Sequence, residues 1–308
     1  MSSGPRVRVV VVTYSPGAAL DAFLASLQDA TTAQYEVVLA DNGSTDGAPQ
    51  AAADRRDRGP VRLLETGGNL GYGRGANLGA SGATAPWLVV ANPDVIWEPG
   101  ALDALLAAGE RWPRAGCLGP AIRTPEGELY PSARAFPSLG RGTGHALLGW
   151  CWPGNPWTRS YREESGRPAE GTTGWLSGSL MLLRREAFAQ VAGFDPTYFM
   201  YCEDMDLCRR LAEVGWQNVY VPGSVVTHTG GHATRRAPRE MVLEHHRSLY
   251  RYLSRQYVGP ALAPVRLALR LGLTLRALLA LRVPAVGEGA APTRSADLLE
   301  APDVRDAS

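Results

Sequence analysis

The sequence predicts an α/β protein with a mostly parallel central sheet, flanking helices and a C-terminal helical extension. Two short, wholly apolar runs, residues 37–40 and 88–91, read as strands buried on both faces. Each ends on polar groups: Asp41 of an Asp-Asn-Gly-Ser-Thr-Asp-Gly stretch, and Asn92-Pro93-Asp94. Strand-like and helix-like segments also alternate through the first half, the βαβ grammar of a parallel sheet. Ligands of such sheets bind beyond the carboxyl ends of the strands. Acids placed there suggest a nucleotide-bearing substrate and a divalent metal.

In order, residues 8–13 are β-branched and apolar, and Ser15-Pro16 then opens a helix carrying Leu20, Phe23, Leu24 and Leu27 at helical spacing. Residues 35–40, 61–65 and 87–91 supply the next three strands, with helices between them and another after Pro99. The glycine-dense segment from Gly67 to Asn77 follows the third strand and opens a helix. Backbone N–H groups in such a turn can approach a phosphate, helped by the helix dipole, or the turn is simply tight. Its departure from Gly-x-Gly-x-x-Gly argues against a dinucleotide oxidoreductase.

From residue 124 to 174 the pattern dissolves into Pro, Gly and aromatics, including Trp150-Cys151-Trp152-Pro153 and Asn155-Pro156-Trp157. The aromatics favour a functional stretch over a disordered one. A strand returns at residues 175–183 and a helix opens near Glu203. Short strands at 217–221 and 225–228 and a helix at 238–257 follow.

Composition narrows the function. The 308 residues carry 45% hydrophobic and 20% charged side chains, ordinary for a soluble globular protein. A net charge of +1 gives no footprint for nucleic acid. All 31 basic residues are Arg, which removes Walker-type phosphate binding, Schiff-base chemistry and pyridoxal phosphate. The 4 cysteines lack Cys-x-x-Cys spacing, and with no signal peptide they read as reduced thiols of a cytoplasmic protein. Residues 262–283 are Leu-rich and punctuated by Arg266, Arg270, Arg276 and Arg282, the first three sharing a broad sector. This helix suits an anionic membrane surface, where each Arg adds on the order of 1 kcal/mol, or it packs on the core or on a second copy in a homodimer. Residues 287–308 have the composition of a disordered tail.

Other segments carry chemistry with a plainer alternative beside it. Asn92-Pro93-Asp94 offers oxygens to Mg²⁺ or Mn²⁺ on a diphosphate, or forms an Asx-type turn. Glu203, Asp204 and Asp206 supply a base, or merely complement a helix dipole. His228 at a strand end is a metal ligand or a satisfied loop histidine. His232, His245 and His246 read as surface or packing residues.

Taken in order, these motifs resemble family 2 glycosyltransferases of the GT-A (nucleotide-diphospho-sugar transferase) fold. The likeness runs over about residues 7–257, with residues 258–286 as a membrane-associating helix and 287–308 as the tail. It rests on the stretch from Asp41 to Gly47, Asn69-Leu70-Gly71-Tyr72-Gly73, Ala91-Asn92-Pro93-Asp94, Trp175-Leu176-Ser177-Gly178-Ser179, Gly193-Phe194-Asp195 and the stretch from Tyr198 to Leu207. Pro131-Ser132-Ala133-Arg134, the segment 152–157 and the Trp175 block look like the actinobacterial rhamnosyltransferases of the cell-wall linkage unit.

The resemblance implies inverting transfer of L-rhamnose from dTDP-L-rhamnose to the 3-hydroxyl of GlcNAc in a polyprenyl-diphospho-GlcNAc acceptor, at the inner leaflet of the plasma membrane. Thr13, Tyr14 and Asp41 would hold the nucleoside. Asn69, Gly71, Arg74 and Asn77 would shape its pocket. Asn92 stands in place of the first acid of the family's Asp-x-Asp pattern. Asp94 and His228 would hold the metal, Mg²⁺ or Mn²⁺. Asp204 would be the base and Glu203 its neighbour orienting the acceptor. Trp175, Ser177 and Gly178 would form the acceptor wall. Two rivals stay open: the same fold with another donor such as UDP-galactofuranose, and a non-catalytic glycan-binding protein.

Overall fold

The computed structural model of the chain describes residues 4–55, 60–137, 169–230 and 238–281. The β-branched stretch at the start forms β1 (Val7–Thr13) and is followed by α1 (Ala18–Ala30). Then come β2 (Tyr35–Asp41), α2 (Ala48–Asp54), β3 (Val61–Glu65), α3 (Tyr72–Ala80) and β4 (Trp87–Ala91). β1 pairs in parallel with β2 and β4, and β2 with β3. The predicted alternation is therefore what the first half adopts.

The second half inserts antiparallel strands. It comprises β5 (Val95–Trp97), α4 (Ala101–Arg111), β6 (Ala115–Arg123), β7 (Leu129–Tyr130), β8 (Ala133–Arg134), β9 (Gly171–Thr173), β10 (Trp175–Leu176), β11 (Leu180–Arg184), α5 (Arg185–Gln190), α6 (Glu203–Glu213) and β12 (Gln217–His228). The main sheet runs β3-β2-β1-β4-β11-β6-β12-β5, with β7 beside β6 and β9 beside β12, while β8 and β10 pair separately. β11 lies antiparallel between β4 and β6. β6 and β12 run parallel, and β5 closes the edge antiparallel to β12.

Three local differences from the sequence pattern have physical causes. The predicted strand 175–183 breaks at Ser177-Gly178-Ser179, so β10 and β11 belong to different sheets. The two short strands predicted at 217–221 and 225–228 are one, with a register shift between Val221 and Val225. Pro222 has no N–H for the ladder, and the irregularity absorbs it without ending the strand. β5 and β6 carry weak local signals, because β5 spans three residues and Gly116, Gly119 and Pro120 dilute the pattern of β6.

β1 shows how the layers form. Val7, Val9 and Val11 point into a core shared with Leu20, Phe23, Leu24 and Leu27 of α1 and with Leu102 and Leu105 of α4. Val10 and Val12 point the other way, toward Ala76 of α3, Phe188 of α5 and Leu207 and Leu211 of α6. Burying each such side chain contributes about 1.5–3 kcal/mol. The thiols of Cys117, Cys202 and Cys208 are free and buried.

The chain ends in α7 (Pro238–Ser254) and α8 (Ala263–Ala280). Leu249 and Tyr252 of α7 pack on Tyr198, Cys202 and Met205, with Leu273 of α8 alongside. Arg266 donates to the carbonyls of Tyr257 and Gly259, and Arg276 lies near His245 and His246 of α7. The side of α8 turned to solvent carries leucines beside Arg270: Leu267, Leu271 and Leu275 are 57%, 62% and 59% exposed. Among the described residues no helix is long and apolar enough to cross a membrane. Cys151, the aromatic segment 150–157, His232, Arg282 and the tail 287–308 lie outside the described residues.

Candidate active site

The strand ends gather the polar residues singled out in the sequence. Thr13 and Asp41 sit side by side at the ends of β1 and β2. Thr13 Oγ1 donates to Asp41 Oδ1 at 2.7 Å, and Ser44 N donates to Oδ2 at 3.0 Å. Ser44 Oγ also donates to Oδ1, so Asp41 is largely engaged by the protein. Tyr14 beside it is 44% exposed. Asn42 Nδ2 reaches Gly71 O at 3.1 Å and ties this corner to the start of α3.

Gly71 adopts φ +86°, and a methyl there would collide with the carbonyl of Phe199, so only glycine fits. Asn69 Oδ1 accepts from Gly71 N at 3.1 Å. Asn77 clamps Phe194 with its whole amide, donating to the carbonyl at 2.7 Å and accepting from the N–H at 2.9 Å. Arg74 Nε donates to Pro196 O at 2.7 Å. These residues hold the glycine turn against the segment that leads into α6.

Asp94 and His228 meet because β5 pairs with the end of β12, Val95 opposite His228. Asp94 is 5% exposed, and its Oδ1 lies 3.1 Å from His228 Nε2. Asn92 Nδ2 lies 3.3 Å from the same nitrogen, and Ser179 Oγ is 3.3 Å from Nδ1. With a proton on Nε2 the Asp94 contact is a hydrogen bond; with the ring proton on Nδ1 toward Ser179, the nitrogen and the carboxylate oxygen together offer two ligands to a cation. Among the described residues no group of three or more His, Cys, Asp or Glu could hold a metal ion. A pair suffices for Mg²⁺ or Mn²⁺ when substrate phosphates and water complete the shell.

The acids of α6 are aimed by a strained entry. Tyr201 and Cys202 both take left-handed backbone conformations, φ 69° and 64°, and such residues cluster where function over-determines the geometry. Asp204 Oδ2 accepts from Gly178 N at 2.8 Å, and Oδ1 accepts from Met205 N at 2.8 Å. Burial raises the titration of Asp204, while these N–H groups and the charge of Arg134 oppose the rise. Glu203 is 6% exposed, with Oε2 lacking any hydrogen-bond partner. Burial, and then Asp204, push its carboxyl up to about 8, so it is largely protonated at neutral pH.

One strip joins the two groups of acids. Gly178 N holds Asp204, and the next residue, Ser179, meets His228. Asn92 N donates to Ser179 O at 2.9 Å. Tyr72 OH donates to Gly178 O at 2.6 Å. That phenol is pushed well up by burial, then by Glu203, Asp204 and Asp94, so one hydroxyl senses all three carboxylates. Trp175 closes the side near Asp204, its Nε1 donating to Ala135 O at 3.2 Å. Ser177 Oγ lies 3.1 Å from Ser179 Oγ.

A model described as glycosyl transferase family 2 matches residues 8–192, and one described as glycosyl transferase family group 2 matches residues 158–284. The chain belongs to glycosyltransferase family 2.

Its sequence is 54% identical over 285 residues to the N-acetylglucosaminyl-diphospho-decaprenol L-rhamnosyltransferase of Mycobacterium tuberculosis, covering 89% of this chain and 92% of that one. It is also 43% identical over 84 residues to rhamnosyltransferase WbbL of Escherichia coli, covering 27% of this chain and 32% of that one. Among solved structures, a mannosyltransferase from Pyrobaculum calidifontis in complex with GDP-Man and Mn²⁺ superposes with TM-score 0.56 at 19% identity, over 92% of this chain and 76% of that one. GalNAc-T7 with UDP, GalNAc and Mn²⁺ superposes with TM-score 0.53 at 16% identity, over 73% of this chain and 43% of that one. These neighbours establish the GT-A fold.

Within this family 2 glycosyltransferase, Tyr72, Ser179 and Arg134 emerge from the geometry. All three lie inside motifs legible in the sequence, but nothing in residue spacing tells which side chain of a motif faces the cleft. His245 and His246 are buried packing residues. Burial lowers the His245 titration to about 4, so its ring is neutral.

Proposed function

We propose that the protein transfers L-rhamnose, with inversion, from dTDP-β-L-rhamnose to the 3-hydroxyl of GlcNAc in a polyprenyl-diphospho-GlcNAc acceptor. Substrate identity follows the relative that shares 54% of its residues over 89% of this chain. The observation that carries the mechanism is the Ser177-Gly178-Ser179 strip, which holds Asp204 at Gly178 and meets His228, and through it Asp94, at Ser179. An inverting transfer needs this spread, with a base facing the acceptor on one side and a stabilised diphosphate on the other.

In this reading Thr13, Tyr14 and Asp41 flank the thymidine, Asp41 with its remaining lone pair. Asn69, Gly71, Arg74 and Asn77 shape the pocket through the backbone they hold, and Asn92 lines its floor. Asp94 and His228 hold the divalent cation, Mg²⁺ or Mn²⁺. When bound, it offsets charge developing on the leaving diphosphate. Asp204 takes the proton of the GlcNAc 3-hydroxyl as that oxygen bonds to the anomeric carbon and the bond to the phosphate oxygen breaks. Glu203, neutral, has a proton to donate to the acceptor. Trp175 offers a flat apolar face to the sugar beside Ser177 and Gly178.

The exposed leucines of α8 suit the interface of an anionic bilayer, where the lipid-linked acceptor lies. A protein lacking residues 260–308 should lose binding to anionic liposomes, and retained binding would refute this anchor. Asp204→Asn tests the chemistry. Turnover should fall by about 10²–10⁴-fold with nucleotide binding unchanged, and a variant that still turned over would end the assignment. A panel of nucleotide sugars, read by released nucleotide, tests the donor. Preference for UDP-galactofuranose would overturn it.

A further inference from the structure

Arg134 closes β8 and lies directly opposite Trp175 of β10. It is 7% exposed. Its Nε donates to Pro131 O at 2.8 Å, and its guanidinium carbon stands 5.5 Å from the Tyr130 ring centre and 5.4 Å from that of Trp175. The buried Nη2 has no hydrogen-bond partner, and among the described residues no carboxylate forms an ion pair with Arg134. Asp204 feels its charge, but that carboxylate spends its hydrogen bonds on the N–H groups of Gly178 and Met205.

A buried charge is costly unless an anion meets it, and aromatic faces compensate only in part. The guanidinium is therefore fixed in place, desolvated and short of a counter-ion, beside the base and on the acceptor wall. We propose that Arg134 is an acceptor-binding residue whose free Nη2 takes a phosphate oxygen of the polyprenyl diphosphate. This rests on the transfer proposed above. A planar, permanently charged fork matches phosphate oxygens. The donor diphosphate has its own seat at Asp94 and His228, at the other end of the Ser177-Gly178-Ser179 strip. With its diphosphate on Arg134 and its 3-hydroxyl at Asp204, the GlcNAc spans the two, so binding energy remote from the reacting bond aligns the nucleophile.

The test compares two acceptors on the full chain: a synthetic GlcNAc-diphospho-lipid and an alkyl GlcNAc glycoside without phosphate. Arg134→Gln should raise KM for the diphospho acceptor by about tenfold or more. It should leave KM for the glycoside and for the donor unchanged, and Arg134→Lys should recover part of the loss. Equal losses on both acceptors, a raised donor KM, or an unmoved acceptor KM would overturn the proposal. So would a shifted pH profile without discrimination between acceptors, which would make Arg134 a partner of Asp204 alone. Should the variants not fold, farnesyl diphosphate decides with the unsubstituted protein. It should compete with the diphospho acceptor, and competition with the donor alone, or none, refutes the assignment. Failure of the unsubstituted protein to transfer to either acceptor would instead count against the proposed function, and is seen before any variant is made.

Discussion

Glu203 is a carboxyl the fold keeps neutral. Its side chain is buried with one oxygen unpartnered, and it titrates near 8 against an ordinary 4.5. In the unfolded chain it ionises from 4.5 upward while the folded form keeps its proton. The folded state binds more protons in that window, so stability is full below 4.5, falls as pH rises and levels off above about 8. The slope approaches about 1.4 kcal/mol per pH unit. Glu203→Gln should flatten the fall of melting temperature across that range; an unchanged slope would place the proton elsewhere. Asp94 is tested by metal. Asp94→Ala should raise the Mn²⁺ concentration for half-maximal activity by about tenfold or more, since it removes one of the two protein ligands proposed for the cation. An unshifted titration curve would remove Asp94 from the cation.

At the scale of elements, two glycines decide whether the pieces meet. A methyl on Gly178 would stand 3.1 Å from Asp204 Cβ and 3.2 Å from Oδ2. Gly178→Ala should lower kcat by about tenfold or more, because 1.4 kcal/mol of lost alignment is enough, with a melting temperature close to the parent's. A large loss of stability with kcat intact would show that the strip is only scaffold. Gly71→Ala acts the other way. A positive φ of +86° and a backbone obstruction together should destabilise the fold by at least about 1–3 kcal/mol in urea unfolding. The left-handed pair Tyr201 and Cys202 immediately precedes the acids of α6. The turn that aims Asp204, the proposed base, is thus built from strain held by packing on Leu249 and Tyr252 of α7.

Over the whole molecule, the parallel strands β1 and β2 end at Thr13 and Asp41, and the antiparallel insertions of β11 and β5 bring Ser179, His228 and Asp94 together at the ends of β4 and β12. The exposed face of α8 is the other large-scale feature. Replacing Leu267, Leu271 and Leu275 together by Ser should abolish vesicle binding while leaving the melting temperature unchanged, since all three are more than half exposed. Loss of stability without loss of vesicle binding would mean that the face packs against protein.

The first half of the fold was legible because its information is local. Apolar runs of strand length, a helix stripe at Leu20, Phe23, Leu24 and Leu27, and acids at strand ends are each set by neighbours in sequence. The family motifs likewise lie in continuous blocks. Which atoms of those blocks converge was a tertiary decision. Ser177-Gly178-Ser179 read as the middle of a strand and is a break between sheets, a distinction made by pairing partners distant in sequence. Arg266 and Arg276 read as part of a charged sector and turn toward the protein, because a helix's outward face is chosen by what packs on its inner one. The orphaned donor of Arg134 and the proton of Glu203 exist only once burial has stripped water from both, and burial is a property of the folded chain.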